Sequence, residues 1–294
     1  FGESIGEIEN SNDIVNDAKA CRERLARDGY LFFKGFHDKE KVLQARKELI
    51  ALAEAKGLLK AGSRPEDALI GLENKATLFG HDCGINQKTF MKKNLPTFIE
   101  VVESPKVTEF FDKLYDEKSQ VFDHHWVRCV PKDAFTGFHY DIIYMGRGAQ
   151  DVYSMWTPFG DCPLEQGGLV VCPGSHKYTR LIETYGTADV DRDNLGREKD
   201  GHISKDPFEV IEKFGAKLAT TNYEAGDVMI FGMFFLHASL TNINDTYRFS
   251  ADVRYQRSSA PKDERWFGKN PKGHYRWGTP GGKTMAEAKS HWGI

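Results

Sequence analysis

The chain has 294 residues, of which 40% are hydrophobic and 28% are charged, a composition typical of a folded globular protein and not of a disordered or coiled-coil one. Its 40 Lys and Arg residues nearly balance its 43 Asp and Glu residues, for a net charge of -3, so neither nucleic acid nor an anionic membrane surface is expected as a partner. No apolar run approaches the roughly 20 residues that a membrane helix needs, so no membrane span is predicted.

The cysteines are informative through their spacing. They are odd in number and widely scattered, and no two of them form a C-x-x-C pair. This pattern favours neither a disulfide framework nor a structural zinc site, and it indicates a reducing compartment, so we expect a cytoplasmic location. Nothing in the sequence indicates an oligomeric state. The five residues are Cys21, Cys83, Cys129, Cys162 and Cys172.

The N-terminal part, about residues 1–120, is predicted to be mainly helical. A short strand over 29–33, expected at a sheet edge, precedes two segments with apolar residues at helical spacing, 39–55 and 96–115. These helices need an apolar surface to cover. The stripe of the first segment consists of Val42, Leu43, Leu49, Ile50, Leu52 and Ala53.

From about residue 121 the chain changes to short runs of aromatic and β-branched residues separated by turn residues. Such a series indicates a sandwich or a jelly-roll barrel over about 121–258, followed by a C-terminal extension over 259–294. We expect a single domain over 1–294, mainly β with flanking α-helices. The polar segment 178–206 is predicted to be a long loop and a candidate substrate lid. The predicted strands are 121–130, 137–145, 151–157, 168–172, 216–222, 227–232 and 247–256.

A first group of candidate functional residues has the spacing of metal ligands. His139 and Asp141 are two residues apart on the predicted strand 137–145 and therefore project from the same face. With a second histidine from a distant strand they would form the two-His-one-carboxylate set that suits non-haem Fe(II). His237, in an otherwise apolar segment, is the candidate for that histidine. The alternative is a core histidine with a hydrogen-bond partner.

A second group is cationic. The run 248–255 alternates between polar and apolar residues, and Arg248 and Ser250 lie on its polar face. That face either meets solvent or, if it lines a barrel, offers the fork of Arg248 and the hydroxyl of Ser250 to a ligand carboxylate. Arg128, on the predicted strand 121–130, is a further candidate for binding a cosubstrate or an acidic substrate. Its alternative is an ion pair with a carboxylate of the protein.

In this order and spacing, the motifs resemble the phytanoyl-CoA dioxygenase family of Fe(II)- and 2-oxoglutarate-dependent oxygenases, from about residue 25 to residue 258. The resemblance implies a double-stranded β-helix, a jelly-roll or cupin-like barrel. It implies that His139, Asp141 and His237 bind the iron and that Arg248 binds the far carboxylate of 2-oxoglutarate. Tryptophans similar to Trp156 pack near the cosubstrate in this family, with ordinary core packing as the alternative. The motifs are His139-x-Asp141, Trp156-x-Pro158, Gly167-Gly168-Leu169-x-Val171-x-Pro173-Gly174-Ser175-His176, His237 and Arg248.

We therefore expect an Fe(II)- and 2-oxoglutarate-dependent dioxygenase that uses O2 to hydroxylate a small or medium-sized organic metabolite and releases succinate and CO2. Asp141 favours hydroxylation over halogenation, because related halogenases replace this carboxylate with a small residue. Two alternatives use the same site: a divalent-metal hydrolase or isomerase, and a non-catalytic cupin-like binding module. Arg248 argues against the hydrolase, and the intact ligand set argues against the binding module.

Overall fold

The computed structural model describes residues 5–71, 85–195, 201–276 and 279–294. The strands within these ranges are β1 (Ile5–Glu7), β2 (Tyr30–Phe33), β3 (Ser119–Val121), β4 (Trp126–Val130), β5 (Tyr153–Pro158), β6 (Leu169–Val171), β7 (Leu218–Thr220), β8 (Val228–Gly232), β9 (His237–Ser239) and β10 (Arg248–Arg257). The α-helices are α1 (Ala18–Asp28), α2 (Lys39–Ala55), α3 (Lys88–Asn94), α4 (Pro96–Val102), α5 (Pro105–Tyr115), α6 (Ile142–Met145), α7 (Thr179–Glu183), α8 (Pro207–Phe214) and α9 (Met285–Trp292).

The strands form two sheets that face each other. The small sheet has the order β1-β7-β6-β9, and the large sheet has the order β2-β8-β5-β10-β3, with β4 also paired to β10. Between them lies an apolar layer to which the large sheet contributes Phe32, Trp156 and Phe231 and the small sheet Leu169 and Val171. This is the predicted double-stranded β-helix, although the described strands pair as two open sheets and do not close into a continuous barrel.

Helices cover the outer faces of both sheets. Because side chains alternate along a strand, the outer face of the large sheet is apolar, and it packs against α1, α2, α4 and α5. In this layer the ring of Tyr255 stacks on Phe111 with centroids 4.1 Å apart, and its hydroxyl donates to the Val102 carbonyl oxygen at 2.8 Å. The small sheet is covered by α7, α8 and α9. None of the helices in the described ranges is long and apolar enough to span a bilayer.

Both helical segments predicted in the N-terminal part are helical with one difference, and α1 and α3 were not predicted. The predicted helix over 39–55 is α2, whereas the single helix predicted over 96–115 is divided into α4 and α5. Pro105 causes the break, because it lacks an N–H and disfavours the helical conformation at the residue before it. That residue, Ser104, instead caps α5 by accepting a hydrogen bond from the Val107 N–H at 3.3 Å.

The strands also differ from the prediction at particular points. As expected, β2 lies at an edge of the large sheet. The strand predicted over 121–130 is interrupted and gives β3 and β4, both paired to β10. Strand β9 was not predicted, because three residues are too few to display an alternating pattern.

The segment 178–206 is more ordered than the predicted long loop. It contains α7 and a short 3-10 turn at Tyr185–Thr187, and it buries Leu181 and Val190. Residues 196–200 lie outside the described ranges. The predicted long loop therefore contains short helical elements in its described part, much of which packs over the outer face of the small sheet. Its role as a substrate lid stays a prediction.

A buried ion cluster joins this segment to the C-terminal extension. The guanidinium of Arg265 donates to Asp191 at 2.7 Å and to Asp263 at 2.6 Å, and all three side chains are almost completely buried. The Nδ1 atom of His274 lies 2.8 Å from the same Asp191 carboxylate. Residues of the extension are thereby fixed against the segment next to the small sheet.

Two leucines of α2 provide a matched test of the helical layer. Leu49 is fully buried, whereas Leu43, which the sequence pattern placed on the same apolar stripe, is 38% exposed. Leu49→Ala should lower the free energy of unfolding by about 2–5 kcal/mol because it leaves a cavity, and Leu43→Ala by less than about 1 kcal/mol. Chemical denaturation followed by circular dichroism measures both, and equal losses would contradict this packing.

Candidate metal centre

Three of the side chains singled out in the sequence converge between the two sheets. The ligand atoms of His139, Asp141 and His237 all lie within 4.8 Å of one another, and the three residues are buried. The Nε2 atoms of His139 and His237 are 3.5 Å and 3.9 Å from Oδ1 of Asp141. Two imidazoles and one carboxylate at these separations form a set that can hold a divalent metal and leave coordination positions open.

Backbone pairing places the two histidines side by side. The N–H of His139 donates to the His237 carbonyl oxygen at 3.0 Å, and the N–H of His237 donates back at 3.3 Å. Because residues directly opposite each other in an antiparallel pair project to the same side, the two imidazoles are neighbours, with ring centroids 4.2 Å apart. The segment after β4, which carries His139, thus meets strand β9, which begins with His237.

Asp141 reaches the centre through a turn. The strand predicted over 137–145 is wrong beyond His139: Asp141 has helical dihedral angles (φ -64°, ψ -27°), and α6 follows immediately. The β-branched residues Ile142 and Ile143 that suggested a strand are buried in α6, because tertiary packing overrides their intrinsic preference. The close sequence spacing still brings the carboxylate next to His139.

Hydrogen bonds to the backbone fix the tautomer of both histidines. The Nδ1 atom of His139 lies 2.9 Å from the Gly137 carbonyl oxygen, and that of His237 lies 2.9 Å from the Phe235 carbonyl oxygen. A carbonyl can only accept, so each Nδ1 carries the proton and each Nε2 is left with a lone pair directed at the centre. The arrangement is the one that a metal-binding imidazole requires.

The second oxygen of Asp141 is held by residues that the sequence analysis did not place in the site. Oδ2 accepts from the Ser154 hydroxyl at 2.5 Å and from the Arg254 guanidinium at 3.0 Å. The guanidinium in turn lies over the ring of Trp126, 4.0 Å from its centroid. Oδ1 is therefore the oxygen presented to the histidines, which favours a single carboxylate bond to a metal.

The electrostatic surroundings keep these ligands in the forms that bind metal. Burial and the neighbouring His139 lower the pKa of His237 to about 4, so its imidazole is neutral. Burial acts to raise the pKa of Asp141, but Arg254 and the two histidines outweigh it and hold that pKa well below its ordinary value. A neutral imidazole and an ionised carboxylate are the ligand states that a divalent metal requires.

The polar face of β10 is buried. Its five residues are each no more than 4% exposed, so the solvent-facing interpretation of this alternating run is wrong. The face points between the sheets, where the opposing sheet and its connections cover it. These residues are Arg248, Ser250, Asp252, Arg254 and Gln256.

Arg248 is a buried cation without a counter-ion in the part of the chain that the structure describes. Its Nη1 donates to the Gly167 carbonyl oxygen, whereas its Nε has no hydrogen-bond partner, and burial lowers its pKa. The buried hydroxyl of Ser250, two residues along the same face, also lacks a partner. Unsatisfied polar groups are costly inside a protein, so this end of the interior is suited to an anionic ligand.

Arg128 and Trp156 take different positions on the same inner face. The Nε of Arg128 donates to Asp252 at 2.5 Å, which is the ion pair considered as an alternative from the sequence. Trp156 is 1% exposed and packs edge-on against Tyr223 at 4.9 Å in the apolar layer between the sheets. Both residues therefore face the interior.

A third histidine, which no sequence pattern indicated, lies next to the centre. The ring of His202 is 5.6 Å from the ring of His139. No pattern marks it, because it is an isolated histidine in the polar segment 178–206, and only the tertiary fold brings it to the ligands. The sequence did indicate that Arg254 lies on the same alternating face as Arg248. Its partner Asp141, however, is 113 residues away along the chain, so the pattern could not predict their contact.

Comparison with curated proteins identifies relatives along most of the chain. A 1-deoxypentalenic acid 11-beta-hydroxylase of Streptomyces exfoliatus is 24% identical over 281 residues, which cover 88% of this chain and 88% of the relative.

Comparison with solved structures shows the same fold. EctD from S. alaskensis, solved with 2-oxoglutarate and 5-hydroxyectoine, superimposes with a TM-score of 0.56 at 16% identity, over 98% of this chain and 92% of the other. The non-heme alpha-ketoglutarate-dependent carbocyclase SnoK from nogalamycin biosynthesis has a TM-score of 0.56 at 14% identity, over 87% and 89% of the two chains. These likenesses support the double-stranded β-helix.

A model of the phytanoyl-CoA dioxygenase (PhyH) family matches residues 25–250. The match covers more than half of the chain and includes all three candidate ligands as well as Arg248. The protein therefore belongs to the phytanoyl-CoA dioxygenase family, within the class of Fe(II)- and 2-oxoglutarate-dependent oxygenases.

Proposed function

We propose that the protein hydroxylates a C–H bond of a small or medium-sized organic molecule. In this reaction R–H, O2 and 2-oxoglutarate give R–OH, succinate and CO2, so both oxygen atoms of O2 are accounted for. Hydroxylation of 1-deoxypentalenic acid is the activity named for the Streptomyces relative, which favours hydroxylation over the ring closure named for SnoK. The ionised Asp141 also favours it over halogenation, since the carboxylate takes the position that a halide would need.

The observation that carries this proposal is the combination of the ligand set with a buried arginine. His139 and His237 would hold Fe(II) through Nε2 and Asp141 through Oδ1. Bound there, Fe(II) supplies activation of O2 coupled to decarboxylation of the keto acid. Arg248 would bind the distal carboxylate of 2-oxoglutarate in a forked geometry, and this carboxylate would be the counter-ion that the described residues do not supply.

The remaining candidates are assigned by their contacts. The free hydroxyl of Ser250 would donate to the same carboxylate as Arg248. Trp156 would form an apolar wall beside the cosubstrate and exclude water from it. Arg128 stays a candidate for the cosubstrate or for an acidic substrate, since its Nε alone is engaged with Asp252.

A cytoplasmic location is part of the proposal. Within the described ranges the cysteines are buried free thiols, as a reducing compartment allows. Cys83 lies outside those ranges. The four described residues are Cys21, Cys129, Cys162 and Cys172.

The proposal predicts a spectroscopic signature. Metal-free protein reconstituted with Fe(II) under anaerobic conditions should gain a visible charge-transfer band when 2-oxoglutarate is added, because the keto acid chelates the iron. Succinate release in air would then report turnover against candidate substrates. Bound iron without a band would contradict the oxygenase and favour the hydrolase, the isomerase or the binding module.

Replacement of the carboxylate ligand tests the metal assignment. Asp141→Asn should lower succinate formation and iron affinity by at least about 100-fold, because the amide lacks the charge of the ligand while its oxygen still accepts from Arg254. Iron content and succinate release measure the two effects. Asp245→Asn is the matched control, since Asp245 is 79% exposed and its ion pair with Lys132 is on the surface. Equal activity of the two variants would remove Asp141 from the ligand set.

Replacement of Arg248 separates a cosubstrate role from a structural one. Arg248→Met should raise the 2-oxoglutarate concentration for half-maximal turnover by at least about tenfold, because a charge-assisted pair is lost. The free energy of unfolding should not fall, since the variant removes a buried charge that no carboxylate of the described residues neutralises. Arg64→Met, at an arginine that is 74% exposed and paired with Asp67, is the control. An unchanged 2-oxoglutarate requirement would refute the assignment.

A further inference from the structure

Between the buried metal centre and solvent lie three half-buried polar residues, Arg128, Tyr144 and His202, which we call the mouth. The rings of Tyr144 and His202 are each 5.6 Å from the ring of His139. Burial acts to lower the pKa of Arg128, but the adjacent Asp252 outweighs it and the pKa is raised. Asp141 and Tyr144 add to this upward shift. The three residues thus surround one approach to the ligands.

The backbone holds His202 firmly in this position. The N–H of Ile203 donates to the Phe138 carbonyl oxygen, and the N–H of Phe138 donates to the Ser204 carbonyl oxygen, both at 2.8 Å. The imidazole packs directly on Gly137, where an added Cβ would lie 2.9 Å from Cγ and Nδ1 of the ring. His202 is therefore fixed beside a metal ligand without belonging to the set of ligand atoms that lie within 4.8 Å of one another.

Hydrogen-bonding capacity remains unused on two sides of the mouth. The Nδ1 atom of His202 is buried and has no partner in the part of the chain that the structure describes. The hydrogen bond of Arg128 to Asp252 uses Nε, and no described residue bonds its two terminal nitrogens. Both residues have N–H donors for a ligand that enters between them.

The nearby carboxylates leave donors of the mouth for a ligand. Asp252 is bonded by Arg128, and Asp141 by Arg254 and the ligand set. Among the described residues the carboxylate bonded to Arg128 is Asp252, through Nε. A ligand carboxylate would therefore meet the terminal nitrogens of Arg128 and form charge-assisted hydrogen bonds there.

We propose that the primary substrate is an organic acid whose carboxylate binds the terminal nitrogens of Arg128 and an N–H of His202. The hydrocarbon part of the acid then extends toward His139, Asp141 and His237. This inference rests on the proposed function and adds the substrate class to it. It separates two anion positions, with the cosubstrate on the buried Arg248 and the substrate at the mouth.

Binding of matched acids and esters tests this assignment. The probes are 1-deoxypentalenic acid, decanoic acid and cyclohexanecarboxylic acid, each with its methyl ester, titrated calorimetrically into the protein loaded with Fe(II) and 2-oxoglutarate under anaerobic conditions. At least one acid should bind, and its ester should bind at least about tenfold more weakly, because the ester lacks the charge. No binding by any acid, or equal binding by acid and ester, would overturn the proposal.

Variants of the mouth identify the residues. His202→Leu and Arg128→Gln should each weaken binding of the acid by at least about tenfold and leave the 2-oxoglutarate requirement and the charge-transfer band unchanged. The double variant Arg128→Gln with Asp252→Asn repeats the test without a buried unpaired carboxylate, in case the single variant folds poorly. Lys132→Gln, which removes an exposed cation, should bind the acid as the unmodified protein does.

The outcomes separate this inference from the function on which it rests. If Arg128→Gln raises the 2-oxoglutarate requirement and leaves acid binding unchanged, Arg128 belongs to the cosubstrate and the assignment fails. If the unmodified protein binds iron and gives no charge-transfer band, the oxygenase function fails. The difference in affinity between acid and ester, measured by calorimetry, then still tests the carboxylate site independently. Loss of acid binding in His202→Leu and Arg128→Gln together with an unchanged band supports the two anion positions.

Discussion

The layout of the site follows from one electrostatic constraint: the polar face of β10 is sealed between two sheets, so each of its charges needs a partner. Arg254 is neutralised by Asp141, and Asp252 by Arg128. Arg248 is left with a backbone carbonyl and no carboxylate among the described residues. The two internal ion pairs show that the fold can neutralise charges on this face with its own side chains, so the lack of such a partner at Arg248 suits an anionic ligand.

The same constraint connects the metal ligands to the C-terminal end of the chain. Asp141 is oriented by Arg254, whose guanidinium lies over Trp126. Trp126 packs against Trp266 of the C-terminal extension with ring centroids 4.7 Å apart, and the neighbouring Arg265 anchors that extension in its ion cluster. Residues beyond the family match thus support the carboxylate ligand through a continuous series of contacts.

The sequence was sufficient for the ligand residues but not for all of the geometry that holds them. The spacing of His139 and Asp141 keeps the two side chains close in a strand or in a turn, so the pair was found although the predicted strand ends early. Alternation along β10 placed Arg254 on the face of Arg248, yet it could not reveal that Asp141 packs against it. His202 carries no local signal at all, because its position depends on pairing between distant segments.

The same limit applies to the helical layer. Periodicity assigned Leu43 and Leu49 of α2 to one stripe, and only one of them is buried, because the width of the covered face depends on which helices pack beside it. Pro105, in contrast, was a local signal for the break between α4 and α5, and reading it alongside the apolar spacing would have divided the predicted helix. A sequence pattern predicts a helix or strand more reliably than it predicts how much of that element's surface the neighbouring elements bury.

Gly137 joins two parts of the site in a single position. Its carbonyl oxygen accepts the Nδ1 proton of His139, and its lack of a side chain admits the ring of His202 and the Ser204 carbonyl oxygen, which a Cβ would approach to 2.8 Å. The orientation of His139 and the shape of the mouth therefore depend on the same residue. A side chain at position 137 would displace His202 or the backbone around it, together with the carbonyl that orients His139, so a substitution there alters the ligand and the entrance at once.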